Sequence, residues 1–205
     1  TRTNVYSGMA AFYFLRDANT EPKKLPAGAY EIEMAIQDRQ FDTTGQLYFP
    51  DGSPNATGGG ICGSGLANDP CLNGAPGNPT IHPFWIPEFI GDVAIVNGAP
   101  WPYFNVQPRR YRFRIVDGSN ARFYNLSFGA AKVYAIGSDG NYLNAPKLLS
   151  TVLMAPGERY DLIVDFTGLG GQTITVTNDA PTPYPGGLSP VPYTDPACPG
   201  GACPA

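Results

Sequence analysis

The residues of this chain that are capable of metal or acid–base chemistry are few and scattered. The sequence contains a single histidine, His82, which lies between Ile81 and Pro83 at the end of a long Gly/Asn/Pro-rich stretch. A lone histidine supplies at most one ligand of a metal site, and such a site would have to be completed by another chain. We therefore interpret His82 as a loop residue without a metal. No G-x-S-x-G, H-E-x-x-H or P-loop motif is present.

The four cysteines form two pairs that are close in sequence, Cys62 with Cys71 and Cys198 with Cys203. Neither pair has the C-x-x-C spacing typical of zinc and redox sites. We therefore predict two local disulfides, and a loop as short as that from Cys62 to Cys71 gains about 2.5 to 3 kcal/mol by the chain-entropy argument. Disulfides indicate an oxidising compartment, so we expect a secreted or otherwise exported protein.

The charge balance argues against nucleic-acid binding, because 13 basic residues face 17 acidic ones and the net charge is −4. The sequence also lacks an apolar run of the roughly 20 residues that a membrane span needs. One basic cluster stands out, and it is either an anion site or, as we favour, a solvated strand face with cross-strand ion pairs. It consists of Arg109, Arg110, Arg112 and Arg114.

Paired carboxylates occur on two predicted strands, Glu31 with Glu33 and Asp161 with Asp165. Their neighbours along each strand are apolar, so exposed polar faces explain them better than glycosidase chemistry does. Exposed aromatic rings can stack on a sugar or a phenol. For Trp101 and Phe104 we favour packing in the core or at an interface, whereas Trp85 lies in a more open loop.

The fold is indicated by alternation of apolar and polar residues. Residues 111–115 alternate apolar side chains with arginine, which is typical of a strand with one buried and one wet face. Asn97-Gly98 favours a tight turn before it. Further strands are predicted at 30–36, 93–95, 124–128, 133–136, 148–154, 160–166 and 174–176. About seven or eight short strands without a helix of normal length predict an all-β fold, an antiparallel Greek-key β-sandwich.

Several long motifs in this region identify a family resemblance. They are D-x-x-x-V-N-G-x-x-W-P-Y from residue 92, V-x-P-R-R-Y-R-F-R-I-V from 106, G-S-N-A-R from 118 and A-P-G-E-R-Y-D-L-I-V-D-F from 155. Together they resemble the middle domain of three-domain multicopper oxidases, in the branch of bacterial laccase, bilirubin oxidase and phenoxazinone synthase. The resemblance covers nearly the whole chain. It implies a cupredoxin-like sandwich within a secreted enzyme that oxidises phenols or aromatic amines and reduces dioxygen to water.

The same resemblance implies copper of types 1, 2 and 3 in the parent enzyme. A blue-copper centre needs two histidines and a cysteine, and the family's trinuclear cluster needs several H-x-H pairs. With one histidine and no H-x-H pair, this segment is expected to bind no copper and to be inactive in isolation. Its expected partners are a first and a third cupredoxin domain, in the same protein or in a companion chain.

The resemblance also divides the chain. The implied parts are 1–17, the last strand of a preceding cupredoxin domain; 18–28, a linker; 29–180, a copper-free second cupredoxin domain with a long loop at 50–83; and 181–205, a Pro/Gly-rich linker toward a third domain. The apolar run Gly8–Arg16 is the predicted strand of the first part, and it carries too many large apolar side chains to remain uncovered in water.

A substrate-pocket wall is implied for the segment that enters the V-N-G strand. In similar laccases this segment borders the reducing substrate, and here it corresponds to Pro87, Glu88, Phe89 and the adjacent Trp85. Glu88 is a candidate acceptor of a phenolic proton. Ile90 stands where related proteins can have a cysteine, so the pocket wall is expected to differ. The alternative hypothesis is a free-standing secreted β-sandwich module that binds sugars or aromatic ligands through Trp85 and the long loop.

Overall fold

The computed structural model describes residues 2–17, 19, 21–22, 24–41, 45–47 and 90–188. These residues form one five-residue helix, a 3₁₀ turn and ten strands, in line with the all-β prediction. The elements are α1 (Arg2–Tyr6), the 3₁₀ turn (Gly28–Tyr30), β1 (Glu31–Arg39), β2 (Val93–Val96), β3 (Ala99–Pro100), β4 (Arg110–Asp117), β5 (Tyr124–Ser127), β6 (Lys132–Ser138), β7 (Asn141–Leu149), β8 (Val152–Met154), β9 (Arg159–Asp165) and β10 (Thr177–Asn178). No helix among these residues is long and apolar enough to cross a membrane.

The strands form two sheets. Seven of them make a sheet in the order β3-β2-β1-β4-β9-β6-β7, and the other three make a sheet in the order β10-β5-β8. The prediction of a purely antiparallel sandwich is wrong at one place, because β1 and β4 pair in parallel, from Glu31 opposite Arg112 to Ile36 opposite Asp117. Parallel neighbours require a long crossover connection, and the chain between β1 and β4 supplies it.

The core lies between the sheets and follows the predicted alternation. Phe113 and Ile115 of β4 and Leu162 and Val164 of β9 are at most 1% exposed. They pack against β5 and β8 of the smaller sheet, whose Met154 is fully buried. Burial of each large apolar side chain contributes about 1.5 to 3 kcal/mol, so this layer stabilises the sandwich strongly.

The turn predicted at Asn97-Gly98 is confirmed, and it connects β2 to β3. Both residues have positive φ, 51° and 85°, as a tight hairpin turn between β2 and β3 requires. The Asn97 side chain accepts a hydrogen bond from the Ala35 amide at 2.8 Å and donates one to the Glu33 carbonyl at 2.7 Å. The hairpin is thereby tied to β1.

Three predicted strands are corrected. The run 148–154 is two strands, because the chain turns at Ser150 and passes from β7 in one sheet to β8 in the other. Residues 174–176 are irregular, and the short β10 begins at Thr177. Residues 9–16 form no strand, and side chains such as Tyr13 and Leu15 are 88% and 85% exposed. Their assignment to a preceding cupredoxin domain stays a prediction.

Candidate functional site

The residues predicted to wall a substrate pocket, Trp85, Pro87, Glu88 and Phe89, lie outside the described residues. So do His82 and the four cysteines, Cys62, Cys71, Cys198 and Cys203. The description resumes at Ile90. The structure therefore shows how the chain connects to the sandwich at Gly91, just after the predicted pocket residues.

Gly91 is fixed to β1 by a set of contacts that we call the Gly91 clamp, formed by Gly91, Asp38 and Arg122. The Gly91 amide donates to Asp38 Oδ2 at 2.6 Å, and Arg122 Nε donates to the same oxygen at 3.2 Å. Arg122 Nη2 also donates to the Gly91 carbonyl. Asp38 is only 2% exposed, so its carboxylate depends on these two partners for compensation of its lost hydration.

Glycine is required at this point of the clamp. A Cβ atom at residue 91 would lie 2.5 Å from the backbone carbon and oxygen of Arg39. Backbone atoms cannot move aside as a flexible side chain can, so any other residue would push the segment away from β1. The close approach of two backbones therefore sets the position at which the preceding stretch leaves the sheet.

A second buried carboxyl group lies beside the clamp. Asp117 Oδ1 accepts a hydrogen bond from the Ser119 amide at 2.8 Å, while Oδ2 has no partner among the described residues. The Ser119 hydroxyl in turn contacts the Tyr124 hydroxyl at 3.0 Å and accepts from the Asp38 amide at 3.2 Å. Burial, with the nearby Asp38 charge adding to it, raises the pKa of Asp117 to about 7.

Three members of the predicted arginine cluster, Arg110, Arg112 and Arg114, form ion pairs, whereas the Arg109 guanidinium lies 3.6 Å from the centroid of the Tyr30 ring. The face is less solvated than expected. Arg112 donates through Nε and Nη2 to both carboxylate oxygens of Asp161, at 2.8 and 2.6 Å, and Arg114 Nε donates to Glu31 Oε1 at 2.6 Å. The cross-strand pairing was therefore predicted correctly. The wet face was not, because the Arg112 side chain is 2% exposed beneath residues from the N-terminal part of the chain. Arg110, which pairs with Asp165, remains open to solvent.

A group of exposed aromatic side chains follows β3 directly. Trp101 and Tyr103 are 60% and 86% exposed, so Trp101 is not a core residue as predicted, although packing at an interface stays a prediction. Phe104 is half-exposed, and its ring centroid lies 5.9 Å from that of buried Phe113. Phe104 thus extends the core to the surface.

The described residues do not fit a copper centre. Within the ranges that the structure describes, no three His, Cys, Asp or Glu side chains are grouped so as to hold a metal ion. The buried carboxylates Asp38 and Asp161 are paired with arginine instead. A cationic partner at hydrogen-bond distance is incompatible with copper at the same oxygens.

The same fold is found in a solved multicopper oxidase. A McoA multicopper oxidase variant from Aquifex aeolicus superposes with a TM-score of 0.62 at 32% identity, over 87% of this chain and 34% of that one. The sequence profile of the multicopper oxidase family matches residues 58–181. The chain therefore belongs to the multicopper oxidase family.

Curated relatives agree with this assignment. The multicopper oxidase LPR1 of Arabidopsis thaliana is 40% identical over 190 residues, which is 91% of this chain and 29% of that protein. The laccase of Bacillus subtilis is 38% identical over 181 residues, which is 88% of this chain and 31% of the laccase. The chain thus spans about a third of the length of these relatives. The alternative of a free-standing binding module gains no support from them.

Proposed function

We propose that this chain is the copper-free middle cupredoxin domain of a secreted, laccase-like multicopper oxidase. The parent enzyme oxidises phenols or aromatic amines by one electron each and reduces dioxygen to water. Within it, this segment spaces a first and a third cupredoxin domain that carry the copper, and it walls part of the reducing-substrate pocket.

The proposal rests on two facts taken together: the chain matches only a part of a multicopper oxidase, and it contains too few residues that can bind copper. Nine-tenths of the chain aligns with less than a third of a multicopper oxidase, and its single histidine is too few for a copper centre. A part of such an enzyme that cannot supply copper ligands retains a structural role. The fixed position of Gly91 supports the second half of that role, because it anchors the end of the segment that contains Glu88 and Phe89.

The gene that encodes the chain gives the first test. We expect H-x-H pairs upstream of Thr1 and an H-C-H motif downstream of Ala205, because the copper ligands must come from flanking domains. An open reading frame without histidine-rich motifs on either side would contradict the proposal. The 205-residue chain by itself should contain no stoichiometric copper when it is measured by elemental analysis.

The pocket wall is tested in the full-length enzyme. If Glu88 accepts a hydrogen bond from a phenol, Glu88→Gln should raise KM for phenols and leave turnover of a non-phenolic electron donor unchanged. Glu33→Gln, on an exposed position of β1, is the matched control. Equal effects of both substitutions on both substrates would refute a pocket role for Glu88.

Export is tested by the state of the cysteines. Mass spectrometry of a digest prepared without reductant should find Cys62 joined to Cys71 and Cys198 joined to Cys203, since each pair is close in sequence. Free thiols throughout protein isolated from its native compartment, or crossed pairs, would contradict the proposed pairing and remove the support for secretion.

A further inference from the structure

One carboxylate oxygen on the outer face of the large sheet is surrounded by four donors from three parts of the chain. Glu21 Oε1 accepts from Arg112 Nη1 at 2.8 Å and from Arg114 Nη2 at 3.2 Å, both on β4. Arg16 Nη1 lies at 3.4 Å and the Tyr142 hydroxyl, on β7, at 3.5 Å. Glu21 itself belongs to the segment between α1 and the sandwich, which the sequence predicted to be a linker.

The donors are held in place by residues other than Glu21. Asp161 binds Arg112 through two nitrogens, and Glu31 binds Arg114 and also Arg16 Nη2, at 3.0 Å. Tyr142 accepts from Arg112 Nη2 at 3.0 Å, which leaves its own hydroxyl hydrogen to donate toward Glu21. The sheet thus fixes the donors, and each arginine retains an N–H directed at the same point.

The charges around this point balance only when Glu21 is present. Three guanidinium groups, those of Arg16, Arg112 and Arg114, meet three carboxylates, those of Glu21, Glu31 and Asp161. The Arg112 side chain is 2% exposed, so solvent compensates poorly for a missing anion. The hydrogen bond from Arg112 also lowers the pKa of Glu21, as expected for a carboxylate held in its charged form.

We propose that Arg112, Arg114 and Tyr142 form an oxyanion-binding site on the sheet, and that Glu21 is its tethered occupant. The ligand class is a carboxylate, because one anionic oxygen accepts the converging N–H and O–H groups of these side chains. In the chain, the site acts as a latch that docks the segment between α1 and β1 onto the sheet. The proposal rests on contacts within this chain and not on the proposed oxidase function.

The test is rescue of a truncated side chain by a free carboxylate. Glu21→Ala in the full 205-residue chain should lower Tm by several degrees, and sodium acetate should restore it along a saturable curve. Sodium chloride at the same ionic strength should restore little, because chloride is a larger and weaker hydrogen-bond acceptor than a carboxylate oxygen. Glu33→Ala, which removes an exposed carboxylate from β1, is the matched control and should show no acetate-specific gain.

Two further variants assign the rescue to the site. Adding Arg114→Gln or Tyr142→Phe to Glu21→Ala should weaken acetate rescue at least severalfold, because each removes one donor. The proposal is overturned if Glu21→Ala keeps the wild-type Tm, or if acetate raises Tm equally in the wild type, Glu21→Ala and Glu33→Ala. If Glu21→Ala is unfolded in the absence of an anion, refolding on addition of acetate supports the site. Failure to refold at saturating acetate overturns it.

Discussion

Replacing Asp117 by asparagine should stabilise the fold at pH 8, and it should do so by less than half as much at pH 5. Asp117 is 1% exposed, and only one of its two carboxylate oxygens has a partner among the described residues. Asparagine has almost the same shape. Its Oδ1 can keep the hydrogen bond from the Ser119 amide, and its side chain carries no charge to desolvate.

The sign and the size of the expected change in stability follow from the pKa of Asp117. The fold binds this proton more tightly than the unfolded chain does, with a pKa of about 7 against the ordinary 3.8. Stability therefore falls as pH rises from about 3.8 to about 7. The full shift corresponds to about 4 kcal/mol at pH 8, and relaxation of the site around the charge reduces this, so we expect a gain of about 2 to 4 kcal/mol for Asp117→Asn.

The assay is urea unfolding of wild type and variant between pH 5 and 8, followed by circular dichroism. Asp165→Asn is the control of opposite sign: hydrogen bonds from Thr167, and then Arg110, lower the pKa of Asp165 to about 2. That variant should be destabilised equally at both pH values, because Asp165 is ionised at both in either state. A difference between Asp117→Asn and wild type that does not change with pH would refute a buried, titrating Asp117.

Three other substitutions test the contacts that surround the clamp, each by urea unfolding. Gly91→Ala should cost about 1 to 3 kcal/mol through its clash with the Arg39 backbone, whereas Gly186→Ala, with open space around its Cβ position, should be neutral; equal effects would contradict the close approach. Arg122→Met should lower the free energy of unfolding by about 3 to 5 kcal/mol, because it leaves the buried Asp38 carboxylate without its cationic partner. A neutral result would mean that Arg122 does not compensate that charge. Tyr6→Phe should cost about 1 to 3 kcal/mol, since it removes the acceptor of the Gln40 amide at 2.8 Å; an unchanged midpoint would refute that anchor.

Local sequence patterns predicted well the strands that turn one row of apolar side chains toward the core. Residues 111–115 and 160–166 carry an apolar side chain at every second position, and in β4 and β9 these side chains are buried apart from half-buried Tyr160. The Asn97-Gly98 turn was equally local, because it depends only on the conformational freedom of two residues. Parallel pairing of β1 with β4 could not be predicted in this way, since it depends on where a long crossover returns.

The burial of Arg112 was missed for a related reason. Period-2 alternation separates two faces but does not say whether the second face is covered. Part of the cover comes from Glu21, in a segment whose composition is that of a linker. The Gly91 clamp, in contrast, had a usable signal: Asp38 continues the spacing of the buried Met34 and Ile36 along β1. A carboxylate at such a position needs a buried partner, and Arg122 supplies it.

The Gly91 clamp also determines how freely the length of the chain between β1 and β2 can vary. Asp38 holds the residue that leads into β2 next to the end of β1, so both ends of the intervening segment are fixed to each other by the sandwich itself. The entropy lost on closing a loop grows only with the logarithm of its length, and a doubling costs about 0.6 kcal/mol. The register of β2 on β1 is therefore set by the clamp and not by the number of residues that connect the two strands.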